Sequence, residues 1–225
     1  MTRRLAALLV MLMLPTPSLA DEAALPLPLV ARGQEPGWSV TVTAEGIRYT
    51  DMAGAERDAP FVPPVAEDGA QVFSTAVGAL RIAPGPCRDA MTGLPHPYRA
   101  TLERDGQALA GCAGDPDSLL AGDWRAVRLG GADLPEGSEV TLSFAAGRVA
   151  GRAACNSYGG SYTLSGEGLG FGAIAATRKA CPTPQMETER AVFAAFEATV
   201  TFDIGEDGEL RLLAADGAPL IEARR

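Results

Sequence analysis

Apolar and polar residues alternate along much of the chain, which is the pattern of strands that bury one face. Residues 38–43 and 98–103 show this period of two. In a third segment Val140, Leu142 and Phe144 occupy every second position and would share the buried face. The pattern therefore predicts a mainly β (α+β) structure.

Turn signals lie between these segments. Asp105-Gly106, Asp207-Gly208 and Asp216-Gly217 each separate two short alternating runs. Such pairs are typical of tight hairpins because both residues tolerate positive φ. The glycine-rich stretch 166–172 lacks the Lys-Ser/Thr ending of a phosphate loop and is interpreted as hairpin turns with a close backbone approach. We expect antiparallel meanders rather than parallel strands joined by crossover helices.

One segment has helical character. Thr183 is expected to cap the helix and Pro184 to fill its first position, while Glu187 and Glu189 favour its positive end. Four apolar residues recur at helical spacing: Met186, Phe193, Phe196 and Val200. We expect this stripe to pack on the sheet as core, and the wall of a ligand cavity is the alternative.

The first 20 residues have the parts of a secretory signal peptide, with cleavage expected after Ala20. Arg3 and Arg4 precede an apolar run over residues 5–14, which is shorter than the roughly 20 residues that span a bilayer. No cysteine follows that run, so we expect a soluble periplasmic protein and not a lipoprotein. Residues 21–30 are expected to form an extended leader.

The net charge argues against two classes of partner. Removing Arg3 and Arg4 from the 19 basic residues leaves 17 against 28 acidic residues, a net charge of −11. A chain this acidic repels nucleic acid and has no electrostatic attraction to anionic lipid. We also expect no transmembrane segment in the mature chain.

Four cysteines remain, and an even number in an exported chain favours disulfides. Of three possible connectivities, sequence order and the division into domains favour Cys87–Cys112 and Cys155–Cys181. Each bridge would contribute about 3.5 kcal/mol in the chain-entropy model. We expect no metal site, because there is no Cys-x-x-Cys spacing and the single His96 forms no ligand pattern with the cysteines.

A turn-rich stretch over residues 113–118 marks the expected boundary between two small antiparallel β domains. The first domain is placed at residues 31–115 and the second at residues 118–225. Each domain then holds one disulfide.

The second domain contains the motifs Cys-Asn-x-Tyr-x-Gly-x-Tyr over residues 155–162 and Thr-Arg-x-Ala-Cys-Pro over residues 177–182. Together they resemble the motifs of the META domain, found in bacterial HslJ-type heat-shock and envelope proteins. The resemblance covers about residues 118–223. It implies a compact antiparallel β fold with one packed helix and a role in envelope stress, such as heat shock or inhibitor resistance.

The first domain resembles a different exported domain, itself uncharacterised, that can precede META domains. The residues that carry this likeness lie at 31–38, 87–93, 97–98 and 109–113. This resemblance implies no activity or binding residue for the first domain.

No catalytic residue and no cofactor are predicted, and we expect the protein not to be an enzyme. His96 is flanked by Pro95 and Pro97, no Gly-x-Ser-x-Gly elbow is present, and paired cysteines have no thiolate. The most distinctive polar cluster, a possible recognition patch, consists of Asn156, Tyr158, Tyr162 and Arg178. The structural alternative, which we favour, is that Asn156 satisfies a turn, Arg178 pairs with an acid and the tyrosines cover the barrel end.

The leading hypothesis is therefore a non-enzymatic periplasmic stress protein that binds another, unidentified envelope protein. A lipid-binding or small apolar ligand-binding β domain is the first alternative, because some META-type proteins are said to have apolar cavities. A protease inhibitor built on disulfide-braced loops is the second.

Overall fold

The structure is a computed structural model that describes residues 24–225. The predicted signal peptide, its cleavage site and the first three residues of the predicted leader lie outside the described residues. Strands dominate the described chain, as predicted. Within residues 24–225 every helix is too short or too polar to cross a membrane.

The first sheet holds nine strands in the described part of the chain. They are β1 (Leu29–Gln34), β2 (Gly37–Val42), β3 (Gly46–Asp51), β4 (Glu56–Pro60), β5 (Val65–Glu67), β6 (Ala70–Thr75), β7 (Gly78–Arg88), β8 (Pro95–Arg104) and β9 (Gln107–Ala113). All pairs are antiparallel, and the order is β4-β3-β2-β1-β9-β8-β7-β6-β5. Because β1 starts at Leu29, the last two residues of the predicted leader belong to the sheet.

The two arms of this sheet meet where β1 pairs with β9, with Ala31 opposite Ala113 and Arg32 opposite Cys112. Side chains from both arms form one buried cluster that includes Val40 and Leu102. The sheet therefore encloses a single apolar core although its outermost strands, β4 and β5, are not paired with each other.

The second domain contains the remaining elements. They are α1 (Asp117–Leu120), β10 (Gly122–Leu129), β11 (Ala132–Asp133), β12 (Val140–Ala145), β13 (Arg148–Ala153), β14 (Asn156–Ser165), β15 (Gly168–Phe171), β16 (Ala175–Ala176), α2 (Thr183–Ala198), β17 (Thr201–Ile204), β18 (Leu210–Leu213) and β19 (Pro219–Arg224). The main path of this antiparallel sheet is β15-β14-β13-β12-β10-β19-β18-β17, with β11 on β10 and β16 on β14.

The ends of this path approach each other, so the sheet curves into a barrel-like shape. The Leu169 N–H donates to the Val200 carbonyl oxygen over 2.9 Å, which joins β15 to the residue before β17. At Gly168, with φ of +123°, a Cβ would lie 2.0 Å from that same oxygen. Only glycine fits this approach, and the glycine-rich stretch is a hairpin with a close backbone approach, as predicted.

Helix α2 departs from its predicted details. Pro182 is the N-cap residue and Thr183 the first helical residue, without a side-chain capping bond, so the predicted Thr183 cap is wrong. The chain enters the helix through an extended Pro182, which moves the boundary one residue towards the N-terminus. Val200 lies beyond the helix end and is 42 % exposed, so it is not part of the buried stripe.

Aromatic rings fill the space between α2 and the sheet. The centroid of Phe196 lies 4.6 Å from that of Phe171 and 5.3 Å from that of Tyr158, and Phe144 meets Tyr162 edge to face at 5.3 Å. These separations are those of directly packed rings. The stripe therefore acts as core at these positions rather than as the wall of a cavity.

Charged and apolar contacts join the two domains. Arg88 at the end of β7 donates from Nε and Nη2 to the two carboxylate oxygens of Asp203 on β17, over 2.9 and 2.7 Å. Leu94, in the first domain, is buried in the core cluster of the second. The domains therefore contact each other on either side of residues 114–116.

Candidate functional site

Asn156, the first residue of β14, is the centre of a buried hydrogen-bond network and is 1 % exposed. Its Oδ1 accepts from the Thr177 hydroxyl over 2.7 Å and from the Lys179 N–H over 2.8 Å. Its Nδ2 donates to the Lys179 carbonyl oxygen over 3.3 Å. The side chain thereby ties the start of β14 to the segment that precedes Cys181.

Helix α2 completes this network through Glu189, which is 8 % exposed. One carboxylate oxygen accepts from the Asn156 N–H over 3.0 Å and the other from Asn156 Nδ2 over 3.3 Å. A buried carboxylate needs such donors to compensate for lost hydration. The sequence predicted only a helix-dipole role for Glu189. No local pattern indicated its hydrogen bonds to Asn156, 33 positions away.

Both disulfides have the predicted pairing. Cys155 bonds Cys181 beside Asn156, with the two Cα atoms 6.1 Å apart, and Cys87 bonds Cys112 in the first domain at 5.5 Å. The Cys155–Cys181 bridge holds β14 and the segment before α2 side by side. The network around Asn156 therefore has a covalent brace.

The two tyrosines of the predicted patch are buried. The Tyr158 hydroxyl donates to the Thr141 carbonyl oxygen over 2.9 Å, and burial raises the pKa of Tyr158. The Tyr162 hydroxyl donates to Asp117 at the start of α1. Both hydroxyls are thus used to join strands or elements of the domain.

Arg178 differs from the expected arrangement. It is exposed and forms no ion pair within 4.0 Å among residues 24–225, so the predicted pairing with an acid is wrong. Its neighbours Thr177 and Lys179 turn inward to Asn156 through polar atoms, which leaves the Arg178 side chain in solvent. Of the four patch residues, only Arg178 offers a charged side chain to another molecule.

A concave surface of about 560 Å³ lies at the junction of the two domains, and we call it the interdomain cleft. It is lined by Arg32, Gln34, Asp89, Thr92, Leu94, His96, Cys112, Asp115, Pro116, Asp117, Gly147, Tyr162, Leu164, Ser165 and Gly166. Only Tyr162 among these belongs to the predicted patch. Residues as distant as 32 and 166 meet here because the domains dock, and no local sequence signal marks such a meeting.

Three carboxylates line the interdomain cleft. Asp89 accepts from Gln34 Nε2 over 3.0 Å and from the N–H groups of Met91 and Thr92 over 3.0 and 2.9 Å. Burial alone would raise the pKa of Asp89, but these hydrogen bonds outweigh it, and the pKa lies below its ordinary value. Asp89 is therefore an ionised group that stabilises its own turn.

His96 also lines the cleft, on β8. Its Nδ1 lies 2.9 Å from the Gly114 carbonyl oxygen, the position of a hydrogen bond with the backbone between the domains. Among the described residues, this bond to the Gly114 carbonyl oxygen orients the His96 ring, and neither a serine nor an acid takes part in it. Residues 24–225 also contain no group of three or more His, Cys, Asp or Glu side chains placed to hold a metal ion.

Tyr162 gives the second domain a predicted sensitivity to alkali. Burial and the hydrogen bond to Asp117 raise its pKa from 10.0 to about 12. The folded state then holds the proton more tightly than the unfolded state, so stability is complete below about pH 10 and is lost as the pH rises towards about 12. Thermal unfolding followed across this range should show a weaker pH dependence for Tyr162→Phe than for the wild type. An unchanged pH dependence in Tyr162→Phe would contradict this assignment.

Comparisons with known proteins add a family match for one half of the chain. The family profile described as META domain matches residues 117–225. No curated protein matches the chain significantly in sequence. Among solved structures, the NMR structure of a protein from Burkholderia xenovorans is 25 % identical with a TM-score of 0.41, and the alignment covers 48 % of this chain and 86 % of that one.

Proposed function

Residues 117–225 belong to the META domain family, and from this premise we propose that the protein is a non-enzymatic periplasmic component that supports resistance to envelope stress by binding a partner. The observation that carries the proposal is the interdomain cleft, a concave surface of polar and apolar groups to which both domains contribute. Concave surfaces that combine apolar and polar groups at domain junctions are common binding sites. The signal-like N-terminus and the two disulfides support export.

The chemistry of the family motif supports binding at the cleft rather than at the motif itself. Asn156 and Tyr158 are buried, and their polar atoms are used within the domain. Removing them would damage the fold before it changed any surface. The cleft instead presents side chains at a junction that Arg88 and Asp203 hold in place.

The two alternative functions receive less support from the geometry. An apolar ligand beside α2 would need space that the rings of Phe171 and Phe196 already occupy. A protease inhibitor would present an exposed loop to the protease, and Arg178 is an exposed basic residue beside the Cys155–Cys181 bridge. A protease panel that includes trypsin-like enzymes would detect such inhibition.

A cleft-blocking variant tests the proposed function. Ser165 is exposed in the cleft, whereas Thr163 is exposed on the same strand outside it. In a deletion strain under heat, detergent or inhibitor stress, we expect the wild type, Thr163→Trp and Arg178→Ala to restore survival and Ser165→Trp to fail. In a pull-down from periplasmic extract, the wild type, Thr163→Trp and Arg178→Ala should capture the partner and Ser165→Trp should not.

Two results would contradict the proposal. If a deletion strain survives each stress as well as its parent strain, the proposed stress role is wrong. Full activity of Ser165→Trp, with folding verified by circular dichroism, would remove the cleft as the binding surface.

A further inference from the structure

We propose that the interdomain cleft binds a small zwitterion, an amino acid or short peptide with one free ammonium group and one free carboxylate group. This inference rests on the proposed binding function and specifies the class of ligand for the same cleft. It follows from a comparison of the charged groups of the cleft that are engaged within the protein with those that remain available to a ligand.

Arg32 supplies the positive group of the cleft. It lies on β1 opposite Cys112, is exposed, and forms no ion pair within 4.0 Å among the residues that the structure describes. A guanidinium group has five N–H donors in a planar arrangement that matches a carboxylate. A ligand carboxylate is therefore the natural partner of this side chain.

Asp115 and Asp117 supply the negative side. Oδ1 of Asp115 accepts from the Asp117 N–H over 3.0 Å, and Oδ1 of Asp117 accepts from the Tyr162 hydroxyl. The second oxygen of each carboxylate takes part in no hydrogen bond in the described structure. Both carboxylates are thus held in place by one oxygen while the other can accept from an ammonium group, which has three donors.

Asp89 does not compete for the ligand in the same way. Its Oδ1 accepts from Met91 and Thr92, and its Oδ2 accepts from Gln34. Both oxygens are engaged by the first domain. The available charges of the cleft are then one guanidinium from the first domain and two carboxylate oxygens around the start of the second.

This distribution favours a ligand that carries both charges over one that carries a single charge. A plain anion at Arg32 would face three carboxylates in the same cleft, and a plain cation at Asp117 would leave the guanidinium without a counter-charge. A zwitterion satisfies both sides, and a volume of about 560 Å³ lies in the usual range of about 300–1,000 Å³ for small-ligand sites. Pro116 and Leu164, both partly exposed, provide apolar surface for a side chain of the ligand.

Calorimetric titration of the purified protein with defined probes tests the ligand class. The probes are glycine, diglycine and triglycine with free ends, and N-acetyl-diglycine and diglycinamide as forms that lack one charge each. We expect saturable binding of at least one free-ended probe, and affinity at least about tenfold weaker for each blocked diglycine than for diglycine. The preferred length among the free-ended probes reports the separation of the two charged sides.

Two variants with matched controls locate the site. Arg32→Gln and Asp115→Asn should each weaken binding about tenfold, because each removes one charge and retains polar atoms. The control for Arg32 is Arg57→Gln, the same change on β4 outside the cleft. The control for Asp115 is Asp216→Asn, because Oδ1 of Asp216 accepts from the Ala218 N–H just as Oδ1 of Asp115 accepts from the Asp117 N–H. Both controls should bind like the wild type.

The ligand class is wrong if no free-ended probe binds at concentrations up to about 10 mM, if blocked probes bind equally well, or if Arg32→Gln and Asp115→Asn leave binding unchanged. These results are separable from a failure of the proposed function. If the cleft-blocking variant Ser165→Trp still loses its partner and its stress phenotype, the cleft functions with another class of ligand.

Discussion

Replacing Asn156 with alanine is expected to lower the free energy of unfolding of the second domain by about 3–4 kcal/mol. The substitution removes the two acceptor bonds to Thr177 and Lys179 and the donor bonds to Lys179 and Glu189. It also leaves the buried Glu189 carboxylate with the Asn156 backbone N–H as its remaining bond in this network. A buried charge that loses a donor is strongly destabilising.

Urea denaturation followed by tryptophan fluorescence measures this effect, because the two tryptophans, Trp38 and Trp124, lie in the cores of different domains. The transition that Trp124 reports should move to lower urea concentration in Asn156→Ala. Ser157→Ala is the control, since Ser157 is the exposed neighbour and should change stability by less than about 0.5 kcal/mol. A loss below about 1 kcal/mol in Asn156→Ala would show that the network is not a main support of the domain.

Replacing both Cys155 and Cys181 with serine is expected to destabilise the second domain by about 3.5 kcal/mol, because the sequence separation of 26 sets the loop entropy that the bridge removes from the unfolded chain. The matched variant is Cys87→Ser with Cys112→Ser, whose separation of 25 predicts nearly the same loss in the first domain. The fluorescence of Trp124 should report the first loss and that of Trp38 the second.

The disulfide and the Asn156 network are expected to act together. Both hold the start of β14 against the segment before α2, so the effect of Asn156→Ala should be smaller in the Cys155→Ser, Cys181→Ser background than in the wild type. Simple additivity of the three substitutions would be evidence that the bridge and the network support separate parts of the domain.

Much of the fold could be predicted because its signals are local. Asp105 and Gly106 have φ of 51° and 76°, and they join β8 to β9 at the position where the Asp-Gly pair predicted a hairpin. The alternation over residues 140–144 likewise places Val140 and Phe144 in the core. Turn chemistry and a period of two are readable within a few residues of sequence.

The predictions that failed have both local and distant causes. Thr183 has the right chemistry for a cap, but the position of Pro182 decides where the helix begins. Arg178 was expected to meet an acid, and the buried acid of α2, Glu189, is instead engaged with Asn156. The residues of the short strands β11 and β16 are exposed and carry no alternating pattern that could have revealed them.

The order of residues in the Cys-Asn-x-Tyr motif has a structural explanation in this chain. Cys155 forms the disulfide with Cys181, and Asn156 hydrogen-bonds both the segment before Cys181 and helix α2. The Tyr158 hydroxyl donates to the Thr141 carbonyl oxygen on β12. Motif residues that carry a META resemblance are therefore residues that build the domain. The candidate site, by contrast, depends on how two domains dock and could not be predicted from the motif.

The order of strands has a consequence for how the chain acquires its structure as it is made. β1 pairs with β9, and β10 pairs with β19, so the first strand of each domain has a partner that is among the last segments of that domain to arrive. A chain delivered from its N-terminus cannot complete either sheet until that last strand has emerged. The sheet of each domain therefore closes only after the last residues of that domain are available.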